Sequence, residues 1–250
     1  MSKTILITGA TSGFGKAAAT VFAENGNNLI LTGRREDRLK KIQKELSQQH
    51  QITVDYLYFD VRDAEGVKKA LESVESRKID VLINNAGLAS GVNKIQEGIV
   101  ADWEKMIDTN IKGLLYVSKA IMPIMIKQKK GHIINVGSTA GKEAYLNGNV
   151  YCATKHAVDA ISKSMRIDLL EHGIKVSQIC PGAAETEFSE VRLHGNKEKA
   201  KAVYNGYQPM SAEDVASVIY YVTTLPDNLC INDLVITCLA QANSFYTNKN

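Results

Sequence analysis

Tyr151 and Lys155 stand four residues apart, so on a helix their side chains share one face. A phenol with a pKa of about 10 is a poor base at neutral pH, and lowering it by about three units takes about 4 kcal/mol of preferential stabilisation of the phenolate. A neighbouring ammonium has the right sign to supply that stabilisation. A tyrosine so activated can take the proton of an alcohol while hydride leaves, and in reverse return it to a carbonyl oxygen. Ser138 lies in Gly137-Ser138-Thr139-Ala140-Gly141, just past an apolar run of strand length, where it can hydrogen-bond the same oxygen. Its plainer role is to cap a turn. A hydrolase elbow needs Gly-x-Ser-x-Gly, and here glycine immediately precedes the serine.

A second constellation concerns phosphate. The apolar run Thr4 to Thr8 is followed by Gly9-Ala10-Thr11-Ser12-Gly13-Phe14-Gly15, then by a helix-compatible stretch containing Ala17, Ala18, Val21 and Phe22. A pyrophosphate needs backbone amides at a helix N-terminus with no Cβ in the way, and glycines permit both the turn and the approach. Gly9, Thr11, Ser12, Gly13, Phe14 and Gly15 are therefore candidate cofactor contacts, in the strand–turn–helix context that a dinucleotide fingerprint requires. The end of the second strand would face the adenine ribose, where a carboxylate favours the free 2′-hydroxyl of NAD. That position reads Thr32-Gly33-Arg34-Arg35. It offers no carboxylate and two guanidiniums able to pair with a phosphate, which predicts NADP. The positive charge of an oxidised nicotinamide would also help to acidify Tyr151.

These groups must be held by a framework that the sequence also outlines. Apolar runs of strand length alternate with longer segments of helical spacing almost to the end of the chain. The expected strands are Thr4 to Thr8, Leu29 to Thr32, Val54 to Phe59, Val81 to Asn84, Ile133 to Val136, Val176 to Cys180 and Leu234 to Cys238. Leu39, Ile42 and Leu46, then Val117, Ile121 and Met125, then Val158, Ile161 and Met165 mark the inner faces of three helices. This predicts an α/β fold, with a parallel sheet covered by helices on both faces. No linker or repeat divides residues 1–250, so a single catalytic domain is expected. The polar segment 186–209 lacks a strand and reads equally as a surface loop or as a lid over a ligand.

Composition removes other classes. Thirty Lys and Arg against 27 Asp and Glu give a formal charge of +3, too small an excess to predict nucleic acid or an anionic membrane as partner. No run reaches the roughly 18 apolar residues of a membrane span, and Met1 leads into Thr4 to Thr8 with no signal-peptide pattern. Cys152, Cys180, Cys230 and Cys238 form no C-x-x-C pair; buried thiols in the cytoplasm, with no metal site, are expected. His50, His132, His156, His172 and His194 read as solvated or capping.

Further motifs occur in order: Asp60-Val61, Asn84-Asn85-Ala86-Gly87, Asn110, Ser138, Tyr151 with Lys155, and Pro181-Gly182 with Thr186. With them the sequence resembles the short-chain dehydrogenase/reductase family over essentially its whole length. The resemblance implies a Rossmann-type three-layer fold with strand order 3-2-1-4-5-6-7, an NAD(P) cofactor and usually a homotetramer. It also implies that Asp60 and Val61 flank the adenine and that Asn85, Ala86 and Gly87 lie along the cofactor. Pro181, Gly182 and Thr186 would sit by the nicotinamide and its phosphates. Asn110, Ser138, Tyr151 and Lys155 match the family's catalytic tetrad, in which Lys155 would also bind ribose hydroxyls and Asn110 hold a water.

Within the family, Gly137 to Gly141, Gly148-Asn149-Val150-Tyr151 and Thr186 to Arg192 look like the NADP-dependent 3-hydroxy acid dehydrogenases. That likeness implies a small hydroxy acid substrate such as L-serine, L-allo-threonine or 3-hydroxypropionate. Such a substrate needs a cation: Arg192 could clamp its carboxylate with two hydrogen bonds, or be an ordinary surface arginine. Ala183-Ala184-Glu185 departs from the subgroup pattern and would put a carboxylate near the cofactor phosphates. Two rivals remain, a reductase of larger carbonyls such as 3-oxoacyl thioesters and a cofactor sensor without turnover. A sensor has no need of Ser138, Tyr151 and Lys155 together.

Overall fold

The computed structural model describes residues 2–250. Seven strands, β1 (Thr4–Ile7), β2 (Asn28–Gly33), β3 (Val54–Tyr58), β4 (Val81–Asn84), β5 (Gly131–Val136), β6 (Ile174–Pro181) and β7 (Asp233–Ile236), form one sheet in the order β3-β2-β1-β4-β5-β6-β7. Every pairing is parallel. The helices are α1 (Gly13–Glu24), α2 (Glu36–Gln49), α3 (Ala64–Glu72), α4 (Val100–Ile107), α5 (Leu114–Gln128), α6 (Asn149–Asp168), α7 (Glu187–Arg192), α8 (Lys197–Ala202) and α9 (Ala212–Thr224).

The strands read as continuous apolar runs because both faces are covered. Ile5 and Ile7 of β1, with Leu29 and Leu31 of β2, turn to the face where α1, α2 and α9 bring Phe22, Leu39 and Ile219. Leu6 and Ile30, one residue out of step, turn to the face where α3, α5 and α6 bring Val67, Ile121 and Val158. A slip of one residue would exchange the two sets, so the cores fix the register. β1 is hydrogen-bonded to both β2 and β4, Ile5 standing opposite Leu29 on one side and Val81 on the other. The strand order reverses there, which opens a crevice at the carboxyl ends of the strands.

Three local features depart from expectation. β7 begins one residue early and stops at Ile236, leaving Cys238 beyond it. His132 is not solvated: it lies buried in β5, 2.8 Å from the Ser177 hydroxyl. Burial, reinforced by the nearby Lys175 and Lys3, pushes its pKa down to about 3. Cys230 is exposed, whereas Cys152, Cys180 and Cys238 are buried.

The segment after β6 carries two short helices. Thr186 caps α7, its hydroxyl accepting from the Phe188 amide at 3.2 Å, and Asn196 caps α8 by accepting from the Lys199 amide at 2.9 Å. The chain returns to the body where Ala184 bridges to Met210. No helix of the described residues is long and apolar enough to cross a membrane. Among the described residues, no three His, Cys, Asp or Glu side chains gather as metal ligands would.

Candidate active site

A cavity of about 800 Å³ opens at the carboxyl ends of β1 to β6. Its lining runs from Arg34, Arg35 and Asp60 past Gly9, Gly13 and Asn85 to Ser138, Tyr151, Lys155 and Arg192. Thr11, Ser12, Phe14, Val61, Ala86, Gly87, Pro181, Gly182 and Thr186 face it as well. Two residues expected at the site, Gly15 and Asn110, sit behind this wall.

Gly15 acts by what it leaves out. A Cβ there would fall 2.4 Å from the Gly9 carbonyl oxygen and 2.5 Å from Asn85 Nδ2, so any side chain would drive the turn after β1 away from the end of β4. Gly9 has φ +66°, in the left-handed region that glycine occupies without strain. Ser12 holds the N-cap position of α1 but makes no capping hydrogen bond; its hydroxyl accepts from Arg35 Nη2 at 2.7 Å. The leading amides of α1 therefore have no side-chain cap, and Gly13 and Phe14 line the cavity, as a pyrophosphate site requires. On these grounds the cradle fits a dinucleotide.

The charges at the end of the cavity beside β2 are paired. Asp60 takes hydrogen bonds from Arg62 Nε and Nη2 and lies 3.6 Å from Arg34. Burial would raise its pKa, but the Arg62 hydrogen bonds and the Arg34 charge hold the carboxyl below its ordinary range. Arg35 donates Nε and Nη2 to the Thr11 hydroxyl at 3.0 and 2.7 Å. Its Nη1 meets a carboxylate that sequence reasoning missed: Glu187, at 2.8 Å. Glu185, the acid expected near the phosphates, is not in the cavity wall. Its amide joins Met210 at the base of the segment, and Glu187, two residues on, faces the cavity instead.

At the other end, α6 presents Tyr151 and Lys155 to the same cavity, 8% and 7% exposed. Ser138, in the turn after β5, lies beside them. It also caps that turn, accepting from the Ala140 amide at 3.1 Å, so the plainer role and the functional placement coexist. Lys155 Nζ donates to the Val136 carbonyl at 2.8 Å and sits 6.0 Å from the centre of the Tyr151 ring. The ammonium expected beside the phenol is therefore close to its ring, while burial works against the acidification expected of it. Burial raises the Tyr151 pKa, and Ser138 and Arg192 offset that only in part. Burial lowers that of Lys155 to about 8.

Asn110 is held in a π-helical turn, Asp108–Gly113, between α4 and α5, which no sequence signal marks. Its Oδ1 accepts from the Leu88 amide at 2.8 Å, and its Nδ2 donates to the Leu88 carbonyl at 2.8 Å and to Thr154 Oγ1 at 3.0 Å. The amide is thus committed to clamping the loop after β4 onto α6.

Arg192, the last residue of α7, reaches into this end. Its guanidinium lies 5.4 Å from the Tyr145 ring centre and 6.0 Å from that of Tyr151, and Nη1 donates to the Tyr145 hydroxyl at 3.1 Å. Its Nε is buried without a partner. Phe188 of the same helix packs on Tyr151, ring centres 5.5 Å apart. Tyr145, Phe188 and Glu187 carry no motif of their own. Only Thr186 to Arg192, taken as a block, hinted that this stretch belongs to the site.

The sequence pattern of the short chain dehydrogenase family matches residues 3–197. A sulfoacetaldehyde reductase of Chromohalobacter salexigens is 44% identical over 245 residues, 97% of this chain and 96% of its own length. An NADP-dependent 3-hydroxy acid dehydrogenase of Salmonella typhi is 42% identical over 241 residues, 95% of this chain and 96% of its own. Among solved structures, the closed form of a serine dehydrogenase complexed with NADP+ superposes with a TM-score of 0.89 at 40% identity, covering 96% of this chain and 97% of that one.

Proposed function

The chain belongs to the short chain dehydrogenase family, and from that premise we propose that it is an NADP-dependent oxidoreductase interconverting the hydroxyl and carbonyl of a small 3-hydroxy acid. The observation that carries the substrate class is Arg192, a guanidinium lining the same cavity as Ser138, Tyr151 and Lys155. A guanidinium at the cavity wall can hold a substrate carboxylate or another small anion through two charge-assisted hydrogen bonds. Homologues named for 3-hydroxy acids, serine and sulfoacetaldehyde, all small and anionic or zwitterionic, agree with that choice.

NADP supplies the hydride acceptor for oxidation and, reduced, the hydride donor. The chain's part is to bind, orient and move a proton. The turn from Gly9 to Gly15 would hold the pyrophosphate, and Arg34 and Arg35 the 2′-phosphate. Asp60 and Val61 would border the adenine, Asn85 to Gly87 the middle of the cofactor, and Pro181, Gly182 and Thr186 the nicotinamide end. Ser138 Oγ would hydrogen-bond the substrate oxygen. Tyr151 Oη, whose neutral form burial favours, would donate its proton to a carbonyl and recover it from an alcohol. Lys155, its ammonium held near the ring, would steady the charge that proton transfer leaves, and Asn110 would fix the turn that faces it.

The same reading makes residues 1–250 one catalytic domain, with 186–209 as a lid, in a cytoplasmic homotetramer. Exposed apolar side chains such as Leu239, Phe245 and Tyr246 are available for subunit contact, and sedimentation checks that state. The deciding assay offers NADP with L-serine, L-allo-threonine and 3-hydroxyisobutyrate, and NADPH with sulfoacetaldehyde and an acetoacetyl thioester. Turnover of the hydroxy acids supports the proposal. Turnover of the thioester alone would replace it with the reductase of larger carbonyls, and binding without any turnover with the sensor.

A further inference from the structure

One short helix touches both ends of the cavity. Glu187 opens α7 and Arg192 closes it. At the first end the Glu187 carboxylate spans two guanidiniums, Oε2 lying 2.8 Å from Arg35 Nη1 and Oε1 2.7 Å from Arg38 Nη1. Arg35 has already given its Nε and Nη2 to Thr11 and Ser12 of the glycine turn. The face of Arg35 that remains for a phosphate is therefore the one Glu187 occupies. At the far end, Arg192 rests on Tyr145 and Tyr151, so whatever moves α7 moves the substrate cation too.

We infer that Glu187 is an internal competitor for the cofactor's 2′-phosphate: its carboxylate holds Arg35 and Arg38 until a 2′-phosphate displaces it, and the exchange sets both the preference between phosphorylated and unphosphorylated dinucleotides and the position of Arg192. A phosphate monoester carries about −1.5 to −2 charges and three strong acceptor oxygens, so it outbids one carboxylate for a guanidinium pair. A free 2′-hydroxyl brings no charge and leaves the ion pairs closed. The contacts suit an exchange: the side chains of Arg35, Arg38 and Glu187 are 41%, 48% and 43% exposed, and ion pairs in that setting hold weakly. Glu187 stands in the first turn of a helix that only Thr186 caps, so releasing its carboxylate disturbs no core.

The inference rests on the assignment of Arg34 and Arg35 to a 2′-phosphate, and the test separates the two. Adenosine 2′,5′-bisphosphate and adenosine 5′-phosphate are titrated by calorimetry into the whole protein and into Glu187→Gln, with Glu185→Gln as a charge-matched control outside the cavity. The expected result is that Glu187→Gln binds the bisphosphate about threefold to tenfold more tightly, the scale of releasing one or two exposed ion pairs, while the monophosphate is unaffected. Glu185→Gln should behave as the native protein. In steady state, the native KM for the hydroxy acid should differ between NADP and NAD, and in Glu187→Gln that difference should vanish. Equal tightening of both nucleotides, an equal effect of Glu185→Gln, or no tightening at all overturns the competitor. A Glu187→Gln variant that binds the two nucleotides alike overturns the 2′-phosphate assignment itself.

Discussion

Replacing Lys155 by methionine should make the protein more stable while removing its activity. Lys155 is 7% exposed, and burial brings its pKa from 10.5 to about 8. At pH 7 the ammonium is charged in both the folded and unfolded chain, so the depressed value measures a handicap of the folded state. At about 1.4 kcal/mol per unit, that handicap is about 3 kcal/mol. Methionine keeps most of the side-chain volume and none of the charge. It also leaves the Val136 carbonyl without the donor it has at 2.8 Å, a loss of about 1 kcal/mol. The net gain of about 2 kcal/mol corresponds to about 4–8 °C in melting temperature for a chain of this size. The pH dependence has a definite sign. Between pH 8 and 10.5 the unfolded chain keeps a proton that the folded chain has shed, so native stability rises with pH across that window. The advantage of Lys155→Met should shrink over the same range and, above it, give way to a deficit from the orphaned carbonyl. Urea melts without added nucleotide, at intervals from pH 7 to 11, measure both curves. A variant less stable than the native protein at pH 7, or an offset that stays flat with pH, would refute the reasoning.

Tyr151→Phe should lower turnover by about a hundredfold or more, the range for lost acid–base catalysis, while NADPH still binds in a fluorescence titration; near-native turnover removes the proton-transfer role. Arg192→Ala should raise KM for 3-hydroxy acids by about ten- to a hundredfold, the scale of a lost charge-assisted pair, and leave an uncharged alcohol nearly unchanged. Equal effects on both substrates would take Arg192 out of the substrate site. Replacing Arg34 and Arg35 together should cut the preference for NADP over NAD by at least about tenfold, measured as the ratio of kcat/KM values; an unchanged ratio would mean that these arginines do not read the phosphate.

Much of the fold was legible because its signals are local and repeated. Each strand run was long enough to cross a sheet and apolar enough to need cover on both sides, and Leu39, Ile42 and Leu46 recur at the spacing of one buried helix face, as the core confirms. The parallel sheet followed from that alternation, whereas its order came from the family resemblance. Tyr151 and Lys155 were legible as partners because four residues on a helix always bring side chains to one face. Less legible were features set by contacts distant in sequence. Glu187 meets Arg35 across a separation of 152 residues, and no motif connects them. His132 looked like a strand-end residue open to water until β6 placed Ser177 against it.

The sequence by itself determined the class of chemistry: a glycine-rich turn between a strand and a helix, a strand end carrying arginines instead of an acid, and a phenol one helical turn from an amine. Spacing along one chain suffices for such statements, because local geometry is fixed by backbone dihedrals. The tertiary structure decided the electrostatics. Whether a phenol is acidified or an amine is partly neutralised depends on how much water the surrounding elements exclude and on which charges face the group. In this protein burial raises the Tyr151 pKa and lowers that of Lys155. The folded chain also decided which carboxylate meets Arg35 and Arg38, because α7 carries Glu187 to them and Arg192 to Tyr151. Desolvation and long-range pairing are properties of packed neighbours, and a linear order of residues does not contain them.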